Sequence, residues 1–91
     1  MEIERLIWVE HNILKLREHG LGRREVDDLV RRRRYAVETH VDYPGQVRII
    51  GSTATGRWLT VVLQDLGRSS YRPVTGWPAT EDEVRRYFEE A

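Results

Sequence analysis

The spacing of apolar residues predicts two helices in the first third of the chain. From about Glu10 to His19 the apolar residues lie on one helical face, and Gly20 follows where a left-handed residue often ends a helix. After Gly22 the apolar residues recur at i, i+3 and i+4, with acidic residues early and arginines late. This pattern predicts a second helix around Val26, Leu29 and Val30.

From Tyr35 onward, short apolar segments are separated by turns that contain glycine or proline, a pattern typical of strands. Four strands are predicted: Tyr35–Val41, Val47–Ser52, Arg57–Gln64 and Ser70–Thr75. The third is largely apolar on both faces, so we expect it at the centre of a sheet. Pro73 has no N–H to donate to a ladder, so the fourth is expected to be an edge strand or to contain a bulge.

A capping box predicts a third helix near the C-terminal end. Thr80 and Glu83 have the required spacing, and Val84, Tyr87 and Phe88 would form the apolar face of this helix. Residues 1–91 are therefore predicted to form one α+β domain with the order αα-ββββ-α. It would contain two N-terminal helices, a four-stranded antiparallel sheet and a C-terminal helix.

Composition narrows the classes of protein. A chain of 91 residues has room for one core, and its lack of cysteine excludes a disulfide framework, a thiol nucleophile and a cysteine zinc site. Acidic residues near Met1 do not fit a signal peptide, and no apolar run approaches the roughly 20 residues of a membrane span. We therefore expect a cytoplasmic protein without a membrane anchor.

Charge is unevenly distributed although the net charge is zero. Residues 31–80 carry eight basic and three acidic side chains, whereas residues 81–91 carry two basic and five acidic ones. A basic sheet region between acidic ends is compatible with phosphate binding. The run Arg31–Arg34 is either a solvated helix end or an RNA contact. The tryptophans could stack bases, but we expect at least two of them to be core residues: Trp8, Trp58 and Trp77.

Three histidines are the candidates for acid–base chemistry near neutral pH. His11 and His19 are two helical turns apart and His40 lies elsewhere, so none has a recognised metal spacing, and we expect neither a metal nor a cofactor. His19 directly precedes Gly20. It is either a cation that stabilises the helix end or a catalytic group.

Arg48, Arg57 and Arg72 lie in three successive predicted strands. A meander could bring their guanidinium groups to one sheet surface, where they would bind a phosphate and stabilise the charge of a phosphorane. The alternative is that each is a solvated strand residue opposite an acid.

The order of these pieces along nearly the whole chain resembles the BrnT family. The matching pieces are Trp8, Asn12 with Lys15, His19-Gly20, Glu25-Val26, Arg48-x-x-Gly51, Gly56-Arg57, Val61-Val62, the stretch Arg72 to Thr80, and Tyr87. That family consists of toxins of bacterial type II toxin–antitoxin systems with a fold similar to RelE. The resemblance implies a metal-independent ribonuclease whose partners are an RNA substrate and a small DNA-binding antitoxin of the ribbon-helix-helix type.

The resemblance also implies which residues would act. Lys15 and His19 match the lysine and His-Gly that close the first helix of the family, while Arg57 and Arg72 match two of its arginines. The RNA 2′-OH would attack the adjacent phosphate, with His19 or Lys15 near the proton transfers and the arginines, Arg48 included, stabilising the phosphorane.

One stretch departs from the family pattern. Members commonly carry Ser-Ala-Arg where this chain has Thr75-Gly76-Trp77. A tryptophan cannot supply the cation, so Arg48 or Arg72 would take that role or activity would be lost. The alternative function is a non-catalytic protein-interaction domain that kept the toxin fold.

Overall fold

The structure, a computed structural model, describes residues 1–39 and 43–90. Within them lie five strands and three helices: β1 (Arg5–Leu6), α1 (Glu10–Glu18), α2 (Arg23–Arg32), β2 (Tyr35–Thr39), β3 (Gln46–Ser52), β4 (Trp58–Gly67), β5 (Ser70–Pro78) and α3 (Glu81–Glu90). The last two residues of the predicted first strand, His40 and Val41, lie outside the described residues. No helix in the described ranges is long and apolar enough to cross a membrane.

The strands form one mixed sheet in the order β1-β5-β4-β3-β2. The α+β class and the three helices are as predicted, but the four-stranded antiparallel sheet is wrong, because β1 adds a fifth strand parallel to β5. This strand has two residues, Arg5 and Leu6, too few to show any alternation of apolar and polar side chains. The remaining neighbours pair antiparallel.

The main core lies between the sheet and the first two helices. Leu59, Val61 and Leu63 of the central strand β4 are fully buried, together with Leu16 of α1 and Leu29 of α2. Burying each such side chain contributes about 1.5–3 kcal/mol relative to leaving it exposed. This packing fixes α1 and α2 on the odd-numbered face of β4.

The third helix packs on the opposite face of the sheet, and the predicted capping box starts it. The Thr80 hydroxyl accepts the Glu83 N–H at 3.2 Å, and the Glu83 carboxylate accepts the Thr80 N–H at 2.9 Å. Further along, Trp58 of β4 contacts Tyr87 and Phe88, with ring centroids 4.9 and 5.6 Å apart. The capping box thus starts α3, and the aromatic contacts attach its later part to the sheet.

The tryptophans do not form the core. The prediction that at least two of the three are buried is wrong, because Trp8, Trp58 and Trp77 are all partly exposed. The indole N–H groups of Trp8 and Trp77 each donate to a carboxylate, so these large rings lie where one end is apolar and the other polar.

Strand β5 contains the bulge that Pro73 predicts. Val62 pairs with Thr75 and Leu63 pairs with Pro73, so Val74 is the extra residue. Although β1 lies beside β5, it pairs only with Ser70 and Tyr71. The missing N–H of Pro73 therefore leaves no gap in that ladder.

Candidate functional site

The outer face of α1 carries the exposed acid–base groups. Asn12 and Leu16 are buried against the body of the protein, whereas His11, Lys15 and His19 are exposed. Residues four apart on a helix lie on one face with a rise of about 6 Å between them, so Lys15 and His19 are neighbours along this stripe. A shallow groove of about 380 Å³ follows the same face and is lined by His11, Leu14, Lys15 and Glu18.

The C-terminal end of α1 is closed by a Schellman motif. Gly20 has φ +86°. Its N–H donates to the Arg17 carbonyl at 2.9 Å, and the Leu21 N–H donates to the Leu16 carbonyl at 2.9 Å. Leu16 and Leu21 are both buried in the core. This motif fixes the backbone of His19, the residue between the last helical turn and the glycine.

Arg57 holds the connection between α1 and α2. Its Nη1 lies 2.7 and 2.8 Å from the two carboxylate oxygens of Glu25, and its Nη2 donates to the Gly20 carbonyl at 2.7 Å. Glu25 also accepts the Gly22 N–H at 3.0 Å at the start of α2. Arg57, the residue before β4, is thus bonded to Glu25 of α2 and to the peptide between Gly20 and Leu21, just after α1. Of the sequence-predicted residues, the structure brings Lys15, His19 and Arg57 to the same end of α1.

Arg48 and Arg72 lie on the other face of the sheet. The odd-numbered residues of β4 face α1 and α2, and Arg57, just before this strand, lies on the same side. The even-numbered residues face the other way. Arg48 pairs with Val62 and Arg72 pairs with Gln64, so both arginines lie on that second face. The prediction that Arg48, Arg57 and Arg72 share one sheet surface is therefore wrong. The sheet itself separates Arg57 from the other two.

Arg48 takes part in a half-buried ion cluster beneath α3. Its Nη2 lies 3.6 Å from the Glu38 carboxylate, and Nε of Arg86 lies 3.5 Å from the same oxygen. Glu38 and Arg48 are cross-strand neighbours, and their side chains are only 19% and 26% exposed. Sequence reasoning missed Glu38 and Arg86, although the strand register alone would have identified the Glu38–Arg48 pair. Arg48 therefore belongs to the ion cluster that joins α3 to the sheet through Glu38.

Arg72 is the less constrained arginine of this face. Within residues 1–39 and 43–90, its guanidinium makes no hydrogen bond or ion pair. One strand separates β5 from β3, which places Arg72 and Arg48 roughly 10 Å apart across the sheet, with a further two-residue offset along it. Arg72 therefore provides a single cation here, without an adjacent acid–base group like those of α1.

Trp77, at the position of the family arginine, has a structural role. Its indole N–H donates to the two Glu83 oxygens at 3.0 and 3.2 Å. Burial of Glu83 raises the pKa of its carboxyl, but hydrogen bonds from the Thr80 N–H and the Trp77 indole help to outweigh burial, so the pKa is lowered. The tryptophan thereby helps to keep a buried carboxylate ionised at the start of α3.

The described part of the chain contains no group of three or more His, Cys, Asp or Glu side chains that could hold a metal ion. On the helix side, Lys15 and His19 lie one turn apart at the same end of α1 as Arg57.

Three helices on a mixed five-stranded sheet, with an exposed lysine and histidine at the end of the first helix, define a small α+β protein. Comparison with solved structures finds the ribonuclease toxin BrnT of Brucella abortus, with a TM-score of 0.66 and 15% sequence identity. The match covers 85% of this chain and 97% of that one. This chain thus has a BrnT-like fold, as the resemblance in sequence predicts. No protein-family model matches the chain, and no curated protein matches it significantly.

Proposed function

We propose that this protein is the toxin of a type II toxin–antitoxin system, a metal-independent endoribonuclease that a small DNA-binding antitoxin neutralises. The observation that carries this proposal is the likeness in fold to a ribonuclease toxin over nearly the whole of both chains. The antitoxin, of the ribbon-helix-helix type, would be encoded by the adjacent open reading frame.

We assign the chemistry to the helix side of the sheet. His19, as neutral imidazole, takes the proton of the RNA 2′-OH while O2′ forms a bond to the adjacent phosphorus. The bond from phosphorus to O5′ breaks, and the Lys15 ammonium gives its proton to the departing O5′. The products are a 2′,3′-cyclic phosphate and a 5′-hydroxyl. His11 lies two turns from His19, about 12 Å along the axis, too far to share the same phosphate.

Arg57 is a positioning residue in this scheme. Its bonds to Glu25 and Gly20 use Nη1 and one side of Nη2, so Nε–H and a second Nη2 hydrogen are left for other acceptors. Its charge is balanced by Glu25, which makes it a weaker phosphate ligand than a free arginine. Its main contribution is to hold the Gly20 carbonyl, one residue after His19.

The acidic side chains of α3 disfavour RNA on the sheet face that this helix partly covers. α3, which covers part of the face with Arg48 and Arg72, belongs to the segment with five acidic and two basic side chains. Like charges repel, so an RNA backbone approaches that face less readily. The exposed cations of α1 lie on the other side of the sheet.

The test is digestion of total RNA in EDTA by the purified chain and single-residue variants, with thermal melts to verify folding. We expect wild type to cleave, and His19→Ala and Lys15→Ala to lose about 10²- to 10⁴-fold in rate. Arg85→Ala is the inert control, because Arg85 is an exposed α3 residue paired with Asp82. Arg72→Ala probes the opposite face: if it abolishes cleavage while His19→Ala cleaves normally, the helix-side assignment is wrong.

The non-catalytic interaction domain remains the alternative. It is favoured by the ion pairs that Arg48 and Arg57 form with Glu38 and Glu25, because these pairs compete with phosphate binding. Folded wild-type protein that leaves RNA intact at micromolar concentration, free of antitoxin, would establish that alternative and end the ribonuclease proposal.

A further inference from the structure

A second groove, of about 440 Å³, lies between the N-terminal segment and α2. Four arginines and two acids line it together with Trp8, so its charged residues have a net charge of +2: Arg5, Arg23, Arg31, Arg33, Glu4 and Asp27. It lies on the same side of the sheet as α1, and Trp8 is two residues before that helix. None of these residues takes part in the chemistry proposed above.

Trp8, Asp27 and Arg23 form a preorganised stacking platform in this groove. The Trp8 indole N–H donates to Asp27 at 2.9 Å, and the Arg23 guanidinium lies 5.5 Å from the centroid of the Trp8 ring. The same carboxylate lies 3.8 Å from Arg23 Nε. One carboxylate thus binds the indole N–H and lies near the guanidinium, and bases stack on either kind of side chain.

The arginines around this platform can exchange their present partners for phosphates. Arg31 pairs with Asp28 and Arg33 with Glu2, and both arginine side chains are about two-thirds exposed or more, at 79% and 68%. Such exposed pairs contribute roughly 0–1 kcal/mol, so their exchange costs little. Among the described contacts, Arg5 has no ion pair at all.

We infer that this groove binds the single-stranded RNA next to the scissile nucleotide, with a base stacked on the Trp8–Arg23 platform and phosphates on Arg5 and Arg31. An acidic peptide would also be attracted by the positive charge of the groove, but its side chains would not stack on Trp8 and Arg23 as bases do. This inference rests on the proposed function, because it assigns the groove to the substrate of that site.

The test separates binding from cleavage by using a fluorescein-labelled 2′-O-methyl RNA 12-mer, which lacks the attacking hydroxyl. Affinity is measured by fluorescence anisotropy over a range of salt concentrations. We expect Arg5→Ala and Arg31→Ala each to lower the slope of log K against log salt by about 0.7, the value for one phosphate contact with a single strand. The matched control is Arg85→Ala, since Arg85 forms the same i, i+3 pair with an aspartate as Arg31, at 3.2 against 3.1 Å, but on α3.

Three results would overturn the inference. The first is an unchanged affinity and slope in both groove variants, and the second is an equal loss in Arg85→Ala. The third is displacement of the RNA by poly-glutamate of equal length at equal charge, because a site that recognises charge alone does not use the platform. If the groove variants lose binding while wild type fails to cleave natural RNA, the groove assignment stands and the ribonuclease proposal falls.

Discussion

Replacing Arg57 tests whether this arginine is mainly a structural connection between β4 and the end of α1. Arg57→Met removes the guanidinium and keeps most of the aliphatic stem. The bonds lost are those to both Glu25 oxygens and to the Gly20 carbonyl. Glu25 keeps its bond to the Gly22 N–H.

The expected cost follows from the number and exposure of these bonds. A hydrogen bond to a charged group contributes about 1.5–3 kcal/mol when shielded. The Arg57 and Glu25 side chains are 38% and 30% exposed, so solvent screening reduces this value. For the two acceptors together we expect a loss of about 2 kcal/mol in the free energy of unfolding. In a domain of this size that corresponds to a Tm lower by roughly 8–16 °C.

Urea denaturation measures this loss, with Arg85→Met as the matched control, because the Arg85 and Asp82 side chains are 67% and 77% exposed. The control should change stability by about 0.5 kcal/mol or less. Amide exchange gives a local readout: the Leu21 N–H, bonded to Leu16 across the end of α1, should exchange faster in Arg57→Met. A variant as stable as the control, with unchanged exchange at Leu21, would refute the structural role.

Two further predictions concern the start of α3. Thr80→Ala should lower the free energy of unfolding by about 1 kcal/mol, because it removes the acceptor of the Glu83 N–H. Thr80→Ser should keep this hydrogen bond. Equal urea midpoints for wild type and both variants would contradict the prediction. Because the pKa of Glu83 lies below its ordinary value of 4.5, its stabilising contribution is complete above about pH 4.5 and is lost as the pH falls through the lower folded value. Glu83→Gln should therefore flatten the acid limb of a stability–pH curve. Some slope will remain, because the Ala54 N–H also lowers the pKa of Asp28, and an identical acid limb would argue against the Glu83 contribution.

Local signals in the sequence predicted the helices and the four longer strands well, whereas the wrong prediction of a shared arginine site came from strand register. The helix end at Gly20 and the capping box at Thr80 depend on residues close in sequence, and both are present. The face on which Arg57 lies depends on the length of the turn after β3. Ser52 pairs with Trp58, and a turn one residue shorter would place Arg57 on the face of Arg48.

The Trp8 groove was equally hard to predict, because it joins residues far apart in sequence. Trp8 and Asp27 are 19 positions apart, and only the packing of the N-terminal segment against α2 brings them within 2.9 Å. In the sequence, Trp8 and the Arg31–Arg34 run are separate features, each with an ordinary structural explanation. In the fold, Arg31 and Arg33 of this run line the same groove as Trp8, so the two features share one surface.

A protein with no net charge can bind RNA only through local fields, and the fold creates such a field by separating its charges. The acidic helix α3 lies on one face of the sheet, while the groove of net charge +2 opens on the other side, near α1. Because the Debye length is about 8 Å at physiological salt, only the nearby field acts on an approaching phosphate. Overall neutrality therefore does not prevent binding at the groove. Binding should still weaken as the salt concentration rises, because each arginine–phosphate contact releases counterions from the RNA.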